Sequence, residues 1–243
     1  MWRTWRTPTC PRHLRDLSRR SPALPDKANS RSIDKLGLQF VPEAGNPGLI
    51  MSTRAFLAAI LGGITMFIWS FVAHDLLPLG EIGVRQFENE DPMLDALKTN
   101  LGDTPGFYHF PGHHAGPSAT AHERSEAIKR AMEKAATGPS GILVYHPTRQ
   151  FAFGKLLGVE FGTEVLEAIL IVFLLSQTRI ESFAGRVSFV LVTGILAAIS
   201  TNVPYWNWYG FPSNYTAAYM SIQIVAFFCT GVVAALVLAK RRA

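Results

Sequence analysis

Three glutamates lie within one long apolar segment of this 243-residue chain. Glu160, Glu164 and Glu167 are spaced at i, i+4 and i+7, so an α-helix over this segment places all three on one face. A charge near the centre of a bilayer costs about 2.5–3.5 kcal/mol. Protonation, a bound cation, a basic partner or a water-filled cavity is therefore needed to offset that cost.

Basic partners for these carboxylates are scarce, because no Lys or Arg lies deep in another apolar segment. If the helix enters the bilayer near residue 153, the three carboxylates lie about 10, 16 and 21 Å deep. His74 and Asp75 end the first apolar segment near the same surface. The predicted site binds protons or a cation, opens to the outer side and consists of Glu160, Glu164, Glu167, His74 and Asp75. Alternatively, protonated glutamates hydrogen-bond between helices and only hold them together.

Four apolar segments predict a mostly α-helical, polytopic membrane protein, with the charged residues gathered between them. A helix needs about 20 apolar residues to cross the hydrocarbon core. The expected architecture is a four-transmembrane-helix bundle in a lipid bilayer, with spans at 55–79, 151–177, 183–203 and 215–239.

The basic residues of the short flanking segments predict the orientation. Arg54, Arg179, Arg186 and the triplet at 240–242 all fall on one side if the spans alternate. That side is the cytoplasm, since Lys and Arg accumulate there. Both termini are then cytoplasmic, and the segment between the first two spans is extracytoplasmic. A bacterial inner membrane is the expected location.

The outer segment, residues 80–150, has the pattern of a small α+β domain. Asp91-Pro92 is typical of a helix start, and this helix is expected to reach about Leu101. A second helix is expected over 118–137. The residues 106–110 and 141–146 favour strands.

Five of the seven histidines lie in this outer segment. His109 and His146 occur in similar Tyr-His contexts near the ends of the two predicted strands, where neighbouring imidazoles could bind a metal. The alternative is that they are ordinary surface histidines. No motif for a nucleotide, haem or flavin occurs, so the identity of any cofactor beyond a cation is open.

Six aromatic residues fall within the predicted outer loop at 204–214 and the residue that follows it. Such rings settle at the depth of the lipid headgroups and anchor helix ends. The alternative is a lid or binding surface over a cavity between the helices.

Gly154, Gly158 and Gly162 recur every four residues along the second predicted span. This glycine ridge is expected on the face opposite the glutamates, where another helix could approach closely. It favours a membrane-protein partner or a second copy of the chain.

The N-terminal residues 1–54 are expected to form a basic, disordered tail, or else translation begins at Met51. They hold ten Lys and Arg against four Asp and Glu, so +6 of charge there leaves −1 for the rest of a chain of net charge +5. The basic character is thus local to the tail, and no nucleic-acid partner is expected. Cys10 and Cys229 are too differently placed to predict a disulfide.

Three functional hypotheses follow, and none names a reaction. The first is the carboxylate site for protons or a cation. The second is a non-catalytic accessory subunit of a larger membrane complex, docked through its outer domain and glycine ridge. The third is a metal-dependent membrane enzyme, which is the least favoured because the helical ligand motifs of di-metal membrane enzymes are missing.

Overall fold

The computed structural model describes residues 51–239. Most of the predicted tail, Cys10 and the basic triplet at 240–242 lie outside the described residues. Residues 51–54, the end of the predicted tail, are among the described residues. Helix α1 begins at Thr53, and the hydroxyl of Ser52 caps it by accepting a hydrogen bond from the Ala55 N–H at 3.2 Å.

Four long helices form the main body of the protein. They are α1 (Thr53–Phe71), α4 (Phe153–Ser176), α5 (Phe183–Tyr209) and α6 (Ser213–Val237). The chain continues from α1 through a π-helical turn, Val72–Leu76, and a short 3-10 turn, Leu79–Glu81. The mostly helical fold class is therefore confirmed.

Three helical segments are long and apolar enough to cross a membrane: Thr53–Leu76, Phe183–Tyr209 and Ser213–Val237. The protein is consistent with a membrane location on this ground. Helix α4 has 24 residues and so has the length, but its glutamates and Lys155 set it apart from the other three in composition. The fourth span of the predicted bundle thus remains a prediction.

Small residues allow these helices to pack closely. Helix α1 packs against both α4 and α6, and α6 packs against α5. A Cβ atom at Gly63 would lie 2.6 Å from the Cα atom of Val165, and one at Gly194 would overlap Phe227. The core between the helices is rich in alanine and valine: Ala58, Ala59, Ala168, Val172, Val190, Ala198 and Ala234.

The outer segment forms the expected helices and strands. Helix α2 (Glu90–Leu101) is followed by β1 (Gly106–Phe110), α3 (Ala121–Thr137) and β2 (Gly141–Tyr145). The two strands pair antiparallel, with Gly106 opposite Tyr145 and Phe110 opposite Gly141. Few of its side chains are buried, as expected for a domain too small to enclose a large core.

A capping box starts α3. The Thr120 hydroxyl accepts a hydrogen bond from the Glu123 N–H at 3.2 Å, and the Glu123 carboxylate accepts one from the Thr120 N–H at 2.7 Å. The hydrogen bonds from the Thr120 backbone and side chain hold the pKa of Glu123 below its usual value. This local pairing explains why α3 begins three residues later than predicted.

The predicted aromatic loop at 204–214 is wrong in its extent. Helix α5 continues to Tyr209 with Pro204 inside it, and Gly210 ends it in the left-handed conformation, at φ 70°. Proline is tolerated within membrane-spanning helices because neighbouring groups bind the backbone carbonyl that its missing N–H leaves free. Only residues 210–212 connect α5 to α6, and the Trp206 indole N–H closes this turn by donating to the Ser213 hydroxyl at 3.0 Å.

Candidate functional site

The glutamate face of α4 is only partly covered by α1: Glu160 remains exposed, whereas Glu164 is buried. Glu164 is only 7% exposed. Its Oε2 atom is buried and has no hydrogen-bond partner among the described residues. The Ser70 hydroxyl of α1 lies within hydrogen-bonding reach of the same carboxyl group, and the charges of Glu160, Glu167 and His74 act on it. An acidic group is therefore enclosed here with half of its hydrogen-bonding capacity unused.

A cavity of about 290 Å³ opens beside this carboxyl group. Ser70, His74, Asp75 and Glu160 supply its polar lining, and the rest is apolar: Phe67, Phe71 and Leu157. Three predicted site residues thus share one cavity, and Glu164 lies next to them through Ser70. Glu167 is half-buried one turn further along α4.

His74 has a defined orientation at the mouth of this cavity. Its Nδ1 atom lies 2.9 Å from the Ser70 carbonyl oxygen. Because a carbonyl only accepts hydrogen bonds, Nδ1 carries the hydrogen, and Nε2 is an acceptor when the ring is neutral. The ring also makes an edge contact with Tyr219, at 5.9 Å between centroids, and Gly80 leaves room for it.

The π-helical turn at Val72–Leu76 holds both His74 and Asp75. A π-turn has one more residue per turn than an α-helix, so it rotates the side chains that follow relative to a regular continuation of α1. Such turns frequently occur at functional sites. The sequence placed both residues at the outer end of the helix but did not predict this turn.

The predicted metal pair is not formed. His109 is opposite Ile142, whereas His146 lies beyond Tyr145 at the other end of the sheet. This register separates the two residues by about 13 Å along the strands. The sequence pattern fixes neither the direction nor the register of the two strands, and the antiparallel register that forms places the two histidines apart.

His109 instead contacts His113, with ring centroids 5.0 Å apart, and His113 stacks on His114 at 4.7 Å. In the described part of the chain, no three His, Cys, Asp or Glu residues are arranged to hold a metal ion. The hypothesis of a metal-dependent enzyme used the histidines together with the glutamates, and this register removes His109 and His146 as a shared ligand pair.

A second, larger cavity of about 760 Å³ lies between the outer domain and the end of α5. His109, His113, Ile128, Met132 and Trp208 contribute to its lining. The aromatic end of α5 therefore borders a cavity, but this cavity lies against the outer domain and not between the helices, where the lid hypothesis expected one. Met132 and Trp208 are both exposed there.

The predicted glycine ridge faces away from the protein's own helices. No described atom lies within 4 Å of a Cβ atom built at Gly154, Gly158 or Gly162. The glycines that pack closely are others, such as Gly63 and Gly231.

Cys229 is a free thiol within α6 in the described part of the chain.

Comparison with protein-family models, curated proteins and solved structures finds no match to this chain. Its function is therefore argued from the geometry of its own residues.

Proposed function

We propose that the protein crosses the membrane four times, with α1, α4, α5 and α6, and that the α1–α4 interface holds a carboxylate site for protons or a cation. The site consists of Glu160, Glu164, Glu167, His74 and Asp75. It opens toward the outer face, and both termini are cytoplasmic in a bacterial inner membrane. This orientation rests on the basic flanking residues.

The distribution of side chains around α4 supports its role as a span. Its 24 residues extend about 36 Å, enough for the hydrocarbon core. Leu166, Leu170 and Leu174 recur every four residues and are exposed on one face. Glu164 is buried on the side of α1. A helix in lipid needs this arrangement, with apolar side chains outward and ionisable ones toward a protein neighbour.

The observation that carries the proposal is the enclosed Glu164 carboxyl with an unpartnered Oε2. A carboxyl group that only joined two helices would use both oxygens in hydrogen bonds between them. An unpaired oxygen in a low-dielectric environment is costly. A transiently bound proton or cation removes that cost, and the adjoining cavity provides access from the outer side.

The proposal is tested with the full chain in phospholipid vesicles. Infrared difference spectra record the carboxyl band of Glu164 as the outer pH or cation concentration is changed. We expect the band to respond to one of the two, and the response to vanish in Glu164→Gln and weaken in Glu167→Gln. Glu133→Gln is the matched control, because Glu133 is exposed on α3.

All three variants are expected to fold, since glutamine preserves the shape of the side chain. A Glu164 band that responds to neither pH nor cations would refute the proposed site. The glutamates would then have a purely structural role.

A second candidate function, a non-catalytic accessory subunit, is favoured by a separate observation. Every residue from 153 to 163 on α4 is exposed, and the glycine ridge lies in this stretch. Half of a helix left uncovered is suited to contact with another membrane protein or a second copy.

The Gly158→Ile variant tests this candidate, because the larger side chain meets empty space in the isolated protein. We expect thermal stability that is unchanged or slightly raised, since isoleucine has a higher helix propensity than glycine. Association should be lost, measured by energy transfer between labelled copies and by copurification from membranes. Retained association in the variant would exclude the ridge as an interface.

A further inference from the structure

We infer that the ligand of the carboxylate site is the proton, and that His74 delivers it from the outer water to Glu164. The inference rests on the proposed function and specifies its substrate. Three features of the α1–α4 interface lead to it: the inaccessible carboxyl oxygen, the composition of the cavity and the fixed orientation of His74.

The inaccessible oxygen discriminates between a proton and a larger cation. Oε2 of Glu164 has almost no accessible surface and no hydrogen-bond partner among the described residues. A metal cation needs a shell of several ligands, about six oxygens for the hard divalent ions. A proton needs no such shell. Bound to the other carboxyl oxygen, the one that the Ser70 hydroxyl reaches, it leaves Oε2 as an uncharged carbonyl oxygen and requires no change in packing.

The composition of the cavity agrees with this distinction. Its lining contributes two carboxylates, Asp75 and Glu160, together with the Ser70 hydroxyl and the His74 ring. In the described part of the chain, however, no three His, Cys, Asp or Glu side chains are arranged so that they could hold one metal ion together. A cavity of about 290 Å³ with four polar groups can hold several water molecules, which conduct protons between them.

His74 is the group best placed to collect a proton at the mouth. Its side chain is exposed, and the hydrogen bond from Nδ1 to the Ser70 carbonyl leaves Nε2 as the acceptor. The nitrogens of an imidazole ring can accept a proton and release it again, which suits a relay. The same residue, Ser70, binds the ring through its carbonyl and reaches Glu164 through its hydroxyl.

The charged and titratable groups around this path come from four elements. Asp75 adjoins His74 in the π-helical turn, and α4 contributes Glu160, Glu164 and Glu167. Tyr219 of α6 contacts the ring, and the 3-10 turn that packs on it carries Glu81. Acidic side chains outnumber basic ones along this path, so their combined charge attracts cations, including protons, to it.

The transfer conserves protons and breaks no other bond. Nε2 of neutral His74 accepts a proton from a hydronium ion, which becomes water. The imidazolium gives this proton to a cavity water, and that water gives one to the Ser70 hydroxyl. The hydroxyl passes its own hydrogen to the Glu164 carboxylate, so His74 is neutral again and Glu164 is a carboxylic acid.

The test measures how fast the Glu164 carboxyl band appears after a rapid drop in the outer pH, with the full chain in phospholipid vesicles. Asparagine at position 74 can still donate a hydrogen bond to the Ser70 carbonyl but does not titrate. We therefore expect His74→Asn to slow the protonation by about tenfold or more while its final extent is kept. His122→Asn is the matched control, because His122 is exposed on α3.

A second variant separates relay from structure. His74→Ala leaves space at the mouth, and imidazole added to the outer solution should restore the rate. A purely structural role would not respond to imidazole, and the melting temperature of both variants verifies their folding.

Each outcome of these experiments decides one part of the inference. An unchanged rate in His74→Asn, or no rescue by imidazole, would overturn the relay and leave the carboxylate site intact. A band that responds to sodium, potassium or calcium ions instead of pH would overturn the proton as ligand. A band that responds to neither would refute the proposed function itself.

Discussion

The contact between α1 and α4 at Gly63 allows a quantitative test of the interface that forms the site. A Cβ atom at this position would lie 2.6 Å from the Cα atom and 3.1 Å from the amide nitrogen of Val165. Both are backbone atoms, so a change of side-chain rotamer offers no relief. Gly63→Ala therefore forces the two helices apart.

The size of the effect follows from these distances. Ordinary contacts begin at 3.4 Å, so the axes must separate by about 1 Å. Overpacking of this kind costs about 1–3 kcal/mol. Alanine also raises helix propensity by about 1 kcal/mol relative to glycine, which partly offsets the cost. Because these two effects oppose each other, the net change in the stability of Gly63→Ala does not give the packing cost by itself.

Gly158→Ala supplies the matched control. It gains the same helix propensity on α4, and no described atom lies within 4 Å of the new Cβ. The difference between the two variants isolates the packing cost of about 1–3 kcal/mol. Thermal unfolding of the full chain in detergent micelles measures it, at about 2–4 °C per kcal/mol for a chain of this size.

Gly63→Ala should melt several degrees below Gly158→Ala and should also weaken the infrared response of Glu164, because Ser70 moves away with α1. If Gly63→Ala melts at or above the temperature of the control, α1 and α4 do not meet backbone to backbone. The geometry assigned to the site would then be wrong.

Two further substitutions test single hydrogen bonds. Thr230 is fully buried, and its hydroxyl donates to the Gly62 carbonyl at 3.3 Å, so Thr230→Val should cost about 1 kcal/mol in the same melting assay; an unchanged melting temperature would contradict this. Thr120→Ala should lower the stability of α3 by about 1 kcal/mol, seen as faster amide hydrogen exchange in that helix. The pKa of Glu123 is lowered by its bonds to Thr120, so its contribution is present above the usual pKa of a glutamate and is lost as pH falls through the lowered one. The protection factors of the α3 amides, which are corrected for the intrinsic pH dependence of exchange, should therefore fall less with acid in Glu123→Gln. An equal fall in both proteins would show that the Glu123 carboxylate adds nothing to the capping box.

The local pattern of residues was sufficient for most of the secondary structure. Hydrophobic runs and turn residues predicted the presence of the long helices and the two strands, because these patterns reflect periodicity within a single element. The extent was less well predicted: α5 was expected to end at residue 203 and continues to Tyr209. The spacing of the three glutamates also predicted one shared face. The sequence therefore identified which α4 residues belong together before any tertiary contact was known.

Arrangements that depend on a partner element were not available from that pattern. Strand register separated His109 from His146, although both lie in similar sequence contexts. Helix neighbours decided that Gly63 packs closely and Gly158 does not. The periodicity of a sequence segment indicates which face of its helix or strand a side chain occupies. The contact that this side chain makes depends on the element packed against that face.

The candidate site combines both kinds of information. From the charge and spacing of Glu160, Glu164 and Glu167 we predicted a protein-facing position on a membrane helix. In the structure Glu164 is buried and Glu167 is half-buried, whereas Glu160 is exposed. The tertiary structure alone showed that Glu164 is enclosed, that Ser70 and His74 are its neighbours, and that these two neighbours line one cavity. Whether a side chain is buried or accessible depends on how several elements pack together, so it cannot be derived from the sequence of a single helix.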